Sequence, residues 1–208
     1  DDFALDCANA VTHLASDPRI DKISLLGHSQ GGDLVSLVAA SDDPAFAPAQ
    51  ACLDKVVKVM ALGSRIDEVT LSQLERLESP FLEPSRGFVN RLRDGTAHET
   101  DDGMLGATTH FWRRWVELTD SSFIRQQVTS LASSPFSMVA FNSSVDWNVP
   151  PESYQHLHTA MKQAGFPCQE FDDLTHILTP VHDPEATNVS PVFLEILASY
   201  LHTGRLQL

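Results

Sequence analysis

The chain of 208 residues has 42% hydrophobic and 20% charged side chains, which is enough apolar material for one sizeable core and excludes global disorder. Its 14 Lys and Arg against 28 Asp and Glu give a net charge of −14, and a field of this sign repels phosphate backbones, so nucleic acid is not expected as a partner. Charged residues interrupt every hydrophobic run, and the sequence predicts no membrane-spanning segment. Three widely spaced cysteines are typical of free thiols in a reducing compartment such as the cytoplasm.

The predicted elements begin with a helix and then alternate between strands and helices. The first helix has an apolar face, and the run at residues 22–26, closed by a glycine, predicts a strand buried on both faces. An apolar helix is expected over residues 31–40, and further strands over 55–62, 136–142 and 168–171. Helices are expected to start at Pro151 and Pro191. The face of the first helix consists of Phe3, Ala4, Cys7, Ala8, Val11 and Leu14.

This alternation predicts an α/β fold, in which right-handed crossovers build a parallel sheet flanked by helices. The segment between the second and third predicted strands, residues 65–135, is too long for a simple connection and carries helical patterns. We therefore expect a core formed by residues 1–64 and 136–208, with residues 65–135 inserted as a helical cap.

Three aromatic residues, Phe111, Trp112 and Trp115, recur at helical spacing in the predicted cap. They are candidates for the wall of a substrate pocket. The same spacing is also typical of plain core packing, and the sequence leaves both interpretations open.

The motif G-H-S-Q-G at residues 27–31 fits G-x-S-x-G and lies between a predicted strand and a predicted helix, as a nucleophile elbow requires. Such a turn is tight, so Gly27 and Gly31 are expected to be there for lack of bulk, and Gly32 adds clearance. The turn would expose the hydroxyl of Ser29 at a helix N-terminus, where the backbone N–H of Gln30 can donate to an oxyanion. The alternative is a glycine-rich turn or phosphate cradle with an incidental serine.

A serine nucleophile needs a histidine base and an orienting acid, expected in the chain order Ser, Asp, His. Asp146 follows the third predicted strand and His176 follows the last one, so both loops are expected at the same sheet edge as Ser29.

Other residues compete for the roles of acid and base. The acid alternatives are Asp120, Asp172, Asp173 and Asp183, and the base alternatives are His28, His156, His158 and His182. His28 is interpreted as a packed neighbour of the serine, and His156 and His158 should face different ways on one helix. A metal site formed by His176, His182 and Asp183 matches no known metal motif, so no metal is predicted.

With GHSQGG, VDWNVPP and DDLTHIL in this order, the chain resembles the α/β-hydrolase superfamily, and more narrowly bacterial serine esterases with a GHSxGG elbow and a helical cap. The resemblance covers most of the chain. It implies hydrolysis of carboxylic esters with short to medium acyl chains, a small-molecule ester as substrate, and no cofactor. The family usually has glycine where Ser143 stands.

The larger departure from the family lies at the front of the chain. The family has about four strands before the elbow strand, and a loop after one of them supplies a second oxyanion N–H. Because such strands are absent here, we expect a C-terminal portion of a longer hydrolase, or a partner segment that completes the sheet.

The sequence supports two classes of function. One is acyl transfer to water through Ser29, with a thioesterase, acyltransferase or peptidase as variants that use the same residues. The other is a non-catalytic, hydrolase-like binding module.

Overall fold

The computed structural model describes residues 2–183 and 185–206. In this part of the chain four parallel strands form one sheet in the order β1-β2-β3-β4. The strands are β1 (Ile23–His28), β2 (Leu53–Val59), β3 (Ser137–Ser143) and β4 (Cys168–Phe171). The helices are α1 (Asp2–Ala15), α2 (Gln30–Ala40), α3 (Ala47–Gln50), α4 (Ile66–Arg76), α5 (Leu82–Arg93), α6 (Thr109–Leu118), α7 (Ser121–Leu131), α8 (Pro151–Gln163) and α9 (Pro191–Thr203). The α/β class with a parallel sheet is thereby confirmed.

The boundaries of the first three strands differ from the sequence-based prediction by one to three residues. The first strand does not end at Gly27 but continues through His28, and the chain turns only at Ser29. The second strand ends at Val59 rather than at residue 62, because Met60 has a φ of 49°, which breaks the extended backbone.

Helices cover the two faces of the sheet unequally. On one face α2 and α8 pack on the strands, with α1 and α7 beside them, around a core that contains Leu25, Val56 and Met138. On the other face α9 covers apolar residues of β2 and β3, among them Val57 and Val139. The sheet is therefore a middle layer between helices, as α/β architecture requires.

The first strand lies at the sheet edge, and the expectation that both of its faces are buried is wrong. In the described residues β1 pairs only with β2, and Leu26, whose partner in the ladder is Val57, is 48% exposed. The reason is that the helix α9 covers the second face over β2 and β3 but does not reach the edge. Two side chains of the apolar face predicted for the first helix, Phe3 and Leu14, are also exposed.

The helices α4, α5, α6 and α7 lie between β2 and β3, within residues 65–135. A small apolar cluster around Phe88, Val89, Met104 and Trp112 holds α5 and α6 together. The helix α7 instead contributes Ile124 to the core cluster next to the sheet. The division into a core and a cap stays a prediction, and its outer ends, residues 1 and 208, lie outside the described residues.

No helix in the described ranges is long and apolar enough to cross a membrane. The thiols of Cys7, Cys52 and Cys168 are free.

Candidate active site

Ser29 occupies a strained turn between β1 and α2. Its φ of 54° and ψ of −124° lie outside the regions that a non-glycine residue ordinarily adopts. Two backbone hydrogen bonds hold the turn: the N–H of Ser29 donates to the carbonyl of Val59 (2.8 Å), and the N–H of Gly32 donates to the carbonyl of Ser29 (2.9 Å). Gln30 begins α2, so its N–H has no acceptor within the helix, and it has no other acceptor among the described residues.

Glycines allow this turn, but not for the same reason at each position. A Cβ on Gly27 would lie 2.1 Å from the carbonyl oxygen of Gly31, and a Cβ on Gly32 would lie 2.7 Å from the Cβ of Ala61. A Cβ on Gly31 would meet no neighbouring atom within 4 Å. The expectation that both flanking glycines are needed for space therefore agrees with the packing at Gly27 and is wrong for Gly31, because a side chain on Gly31 would point into open space.

Asp146 and His176 form a hydrogen-bonded pair at the same sheet edge. The Nδ1 of His176 lies 2.7 Å from the Oδ2 of Asp146, whose side chain is fully buried. The other carboxylate oxygen, Oδ1, accepts from the backbone N–H groups of Asn148 (2.8 Å) and Val149 (3.1 Å). Because a carboxylate oxygen accepts, Nδ1 of His176 is the donor in this hydrogen bond, and Nε2 is the ring nitrogen left for another partner.

Apart from His28, which is adjacent to Ser29, none of the competing acids and bases forms a hydrogen bond with Ser29 or His176 in the described residues. Asp120 caps the N-terminus of α7 by accepting from the N–H of Ser122 (2.8 Å), and Asp172, Asp183 and His182 are exposed.

His156 is exposed, whereas His158 is buried, with its Nε2 3.1 Å from the Oδ1 of Asn142. Burial lowers the pKa of His158 to about 4, so this histidine is neutral at pH 7. Asp173 is half-buried, and no hydrogen bond joins it to His176 in the described residues.

No three His, Cys, Asp or Glu side chains of the described residues cluster in a way that could hold a metal ion.

Ser29 and His176 border one cavity of about 200 Å³. Its remaining wall is mostly apolar and comes from the start of α2, from α4 and α6, and from the loops after β2 and β3. The other lining residues are Gln30, Leu62, Ile66, Val69, Gln73, Trp115, Asn148 and Val149.

The three aromatic residues proposed for the pocket wall pack on one another but differ in their relation to the cavities. Trp115 borders the cavity with Ser29, and Phe111 borders a neighbouring cavity of about 160 Å³ that Trp115 also lines. Trp112 lines neither cavity: it is 5% exposed, and its indole N–H donates to the carbonyl of Met104 (2.7 Å). The expected pocket role of Trp112 is therefore wrong, because its side of α6 packs against α5.

Several residues of the site carried no signal in the sequence. Gln73 borders the cavity, and its Nε2 donates to the carbonyl of Asn148 (2.7 Å), which ties α4 to the loop that holds Asp146. A single polar residue in a helix pattern does not predict this contact, because it joins segments 75 residues apart.

Asp33, one helical turn after Ser29, forms a buried ion pair with Lys58 of β2. The Nζ of Lys58 is 3.5 Å from the Oδ1 of Asp33, and both side chains are at most 3% exposed. Burial raises the pKa of Asp33 to about 6, although the charge of Lys58 opposes this shift. Burial also lowers the pKa of Lys58, with Asp33 opposing.

No protein-family model matches the sequence, and no curated protein sequence is significantly similar to it. Solved structures are similar in fold. Over 96% of this chain, dipeptidyl peptidase 4 from Porphyromonas gingivalis aligns with a TM-score of 0.56 and 13% identity, and the match covers 22% of that protein. An acylaminoacyl peptidase aligns over 93% of this chain and 25% of its own, with a TM-score of 0.51 and 12% identity.

A third similar structure is the acetyl ester-xyloside bifunctional hydrolase from Caldicellulosiruptor lactoaceticus, with a TM-score of 0.50 and 17% identity over 98% of this chain and 65% of that one. The chain thus spans less than two thirds of each of these three proteins. At this level of identity the similarity establishes the architecture, in agreement with the parallel sheet and its flanking helices. The chain has the α/β-hydrolase fold.

Proposed function

We propose that the chain is the catalytic portion of a serine hydrolase that cleaves carboxylic esters, with Ser29 as nucleophile, His176 as base and Asp146 as the acid that orients the base. The observation that carries this proposal is the bond between Nδ1 of His176 and the buried Asp146, with His176 bordering the same cavity as Ser29. An Asp–His pair beside a serine on a strained strand-to-helix turn is the arrangement that activates a hydroxyl for acyl transfer.

In the proposed reaction the Oγ of Ser29 forms a bond to the ester carbonyl carbon while Nε2 of His176 takes the hydroxyl proton. The carbonyl oxygen becomes an oxyanion that accepts from the N–H of Gln30 at the start of α2. When the carbon–oxygen bond to the alcohol breaks, His176 returns the proton to the leaving alcohol. Water then attacks the acyl-enzyme by the same steps and releases the carboxylic acid. These steps use no cofactor.

The cavity supports an ester with a short to medium acyl chain. Its volume is about 200 Å³, and Leu62, Ile66, Val69 and Val149 give it aliphatic walls. Peptidases and an acetyl ester hydrolase share the fold, and a thioesterase or acyltransferase would use the same three residues. We place ester hydrolysis first because the sequence motifs resemble those of bacterial esterases.

The open edge of β1 is relevant to the source of the second N–H group that donates to the oxyanion. Within the described part of the chain the strand offers unpaired backbone groups on one side, and the exposed Leu26 adds apolar surface there. We infer that a further segment or partner chain pairs with β1 and supplies the second N–H to the oxyanion. Without it, the loss of one donor would lower the rate by about 10²- to 10³-fold. This same edge favours the second candidate function, a hydrolase-like module that binds without catalysis.

A fluorophosphonate probe tests the proposal, because it reports an activated serine without requiring the natural substrate. We expect the probe to label Ser29, as located by peptide mass spectrometry, and labelling to disappear in Ser29→Ala and His176→Ala. The matched control is Ser133→Ala, which removes an exposed hydroxyl outside the site and should leave labelling unchanged. A folded protein that takes up no probe would instead favour the binding module.

A further inference from the structure

His28 links the Ser29 turn to the loop that carries His176. It is the last residue of β1, adjacent to Ser29, and 148 positions separate it from His176 in the chain. Its Nε2 lies 2.6 Å from the backbone carbonyl oxygen of His176, and the two imidazole rings pack with centroids 4.9 Å apart. The sequence suggested only a packed neighbour, whereas the structure adds a directed hydrogen bond.

The partner of His28 determines which nitrogen holds its hydrogen. A backbone carbonyl oxygen can only accept, so Nε2 of His28 must carry the hydrogen and donate it. Nε2 carries a hydrogen both in this neutral tautomer and in the charged imidazolium, so the bond does not depend on the protonation of His28.

His176 is consequently held at two points. Its side chain is held through Nδ1 by Asp146, and its backbone is held through the carbonyl oxygen by His28. A side chain held only by Asp146 could still shift with its loop, because Asp146 and His176 both lie in loops after strands. The second attachment ties the backbone of His176 to β1, the strand that ends directly before Ser29.

We propose that His28 is a positioning residue that sets the separation between the base His176 and the nucleophile Ser29. This inference rests on the proposed function and adds a residue to it. The expected size of the effect follows from the precision that catalysis needs, since a displacement of about 1 Å costs about 100-fold in rate.

Two substitutions separate the hydrogen bond from the bulk of the side chain. In His28→Gln the amide Nε2 occupies nearly the place of the imidazole Nε2 and can donate, while His28→Met has similar length and no donor. We expect His28→Met to lower kcat for a 4-nitrophenyl ester about 10- to 100-fold with KM changed less than about twofold, and His28→Gln to recover most of the rate. The control is His156→Met, an exposed histidine on α8, which should keep the wild-type kcat.

The outcomes of this comparison are distinct. A wild-type kcat in His28→Met would overturn the proposal. A kcat in His28→Gln as low as in His28→Met would also overturn it, because ring packing rather than the hydrogen bond would then be responsible.

A proton NMR measurement decides the question even if the protein hydrolyses no ester. The hydrogen on Nδ1 of His176, bonded to Asp146, should give a resonance far downfield of the amide region, assigned by its loss in His176→Ala. We expect that resonance in the wild type and in His28→Gln, and its broadening or loss through faster exchange in His28→Met. An unchanged resonance in His28→Met would overturn the positioning role, whereas absence of fluorophosphonate labelling in the wild type would count against the proposed function alone.

Discussion

Replacing Lys58 by Met should destabilise the protein by about 3 to 5 kcal/mol at pH 8, because the carboxylate of Asp33 would remain buried without its counter-charge. The two charged atoms lie 3.5 Å apart, and the side chains are 2% and 3% exposed. The Oδ2 of Asp33 has no hydrogen-bond partner among the described residues, so nothing there would replace the lost ammonium. Methionine has a similar length and fills the space of the lysine stem, which isolates the effect of the charge.

The destabilisation should depend on pH with a definite sign. Burial raises the pKa of Asp33 to about 6 in the presence of Lys58, whose charge holds it down. Without Lys58 the pKa of Asp33 rises further, so the folded variant binds a proton that the unfolded chain, with an ordinary Asp pKa near 3.9, does not bind. The folded state then gains relative stability as the pH falls. The cost of Lys58→Met should therefore be largest at pH 8 and smaller at pH 5.

Urea unfolding followed by circular dichroism, at pH 5 and pH 8, measures this cost. The double variant Asp33→Leu with Lys58→Met should recover most of the lost free energy of unfolding, because no buried charge remains. The control is Lys22→Met, whose salt bridge to Asp54 is exposed on the lysine side (71%) and should contribute less than about 1 kcal/mol. A cost below 1 kcal/mol for Lys58→Met at pH 8, or an equal cost at both pH values, would refute the reasoning.

Three further predictions concern the turn, the acid and a buried histidine. Gly27→Ala should destabilise the fold by about 1 to 3 kcal/mol and slow probe labelling at least about tenfold. The reason is that the new Cβ would lie 2.1 Å from the carbonyl oxygen of Gly31. Thermal unfolding and the rate of probe labelling measure these two effects. Asp146→Asn should keep the fold but lower kcat about 10³- to 10⁴-fold by favouring the wrong tautomer of His176, and a labelling rate close to the wild type would contradict the assigned role. His158, whose pKa burial lowers to about 4, should cost the protein about 3 kcal/mol of stability as the pH falls from 6.5 to 4, because only the unfolded state readily takes the proton. His158→Gln should remove most of that acid sensitivity in urea titrations, and an unchanged pH dependence would count against this explanation.

The order of the elements could be predicted from the sequence, because strand and helix periodicities are short-range signals. Apolar runs ended by glycine marked β1 and β2, Pro151 and Pro191 marked the starts of α8 and α9, and β4 has the predicted bounds. Parallel strands place their carboxyl ends at one edge, so the same reasoning brought Ser29, Asp146 and His176 to neighbouring loops. Their catalytic roles remain predictions for the labelling experiment.

Only the tertiary structure decided which side chains meet across long separations in the chain. The bond from His28 to the carbonyl of His176 spans 148 positions, and the pairing of Asp33 with Lys58 depends on how α2 lies on β2. The exposure of Leu26 likewise depends on where α9 ends over the sheet. Local patterns specify a residue's own element and face, whereas these contacts depend on the packing of whole elements, which no short window of sequence contains.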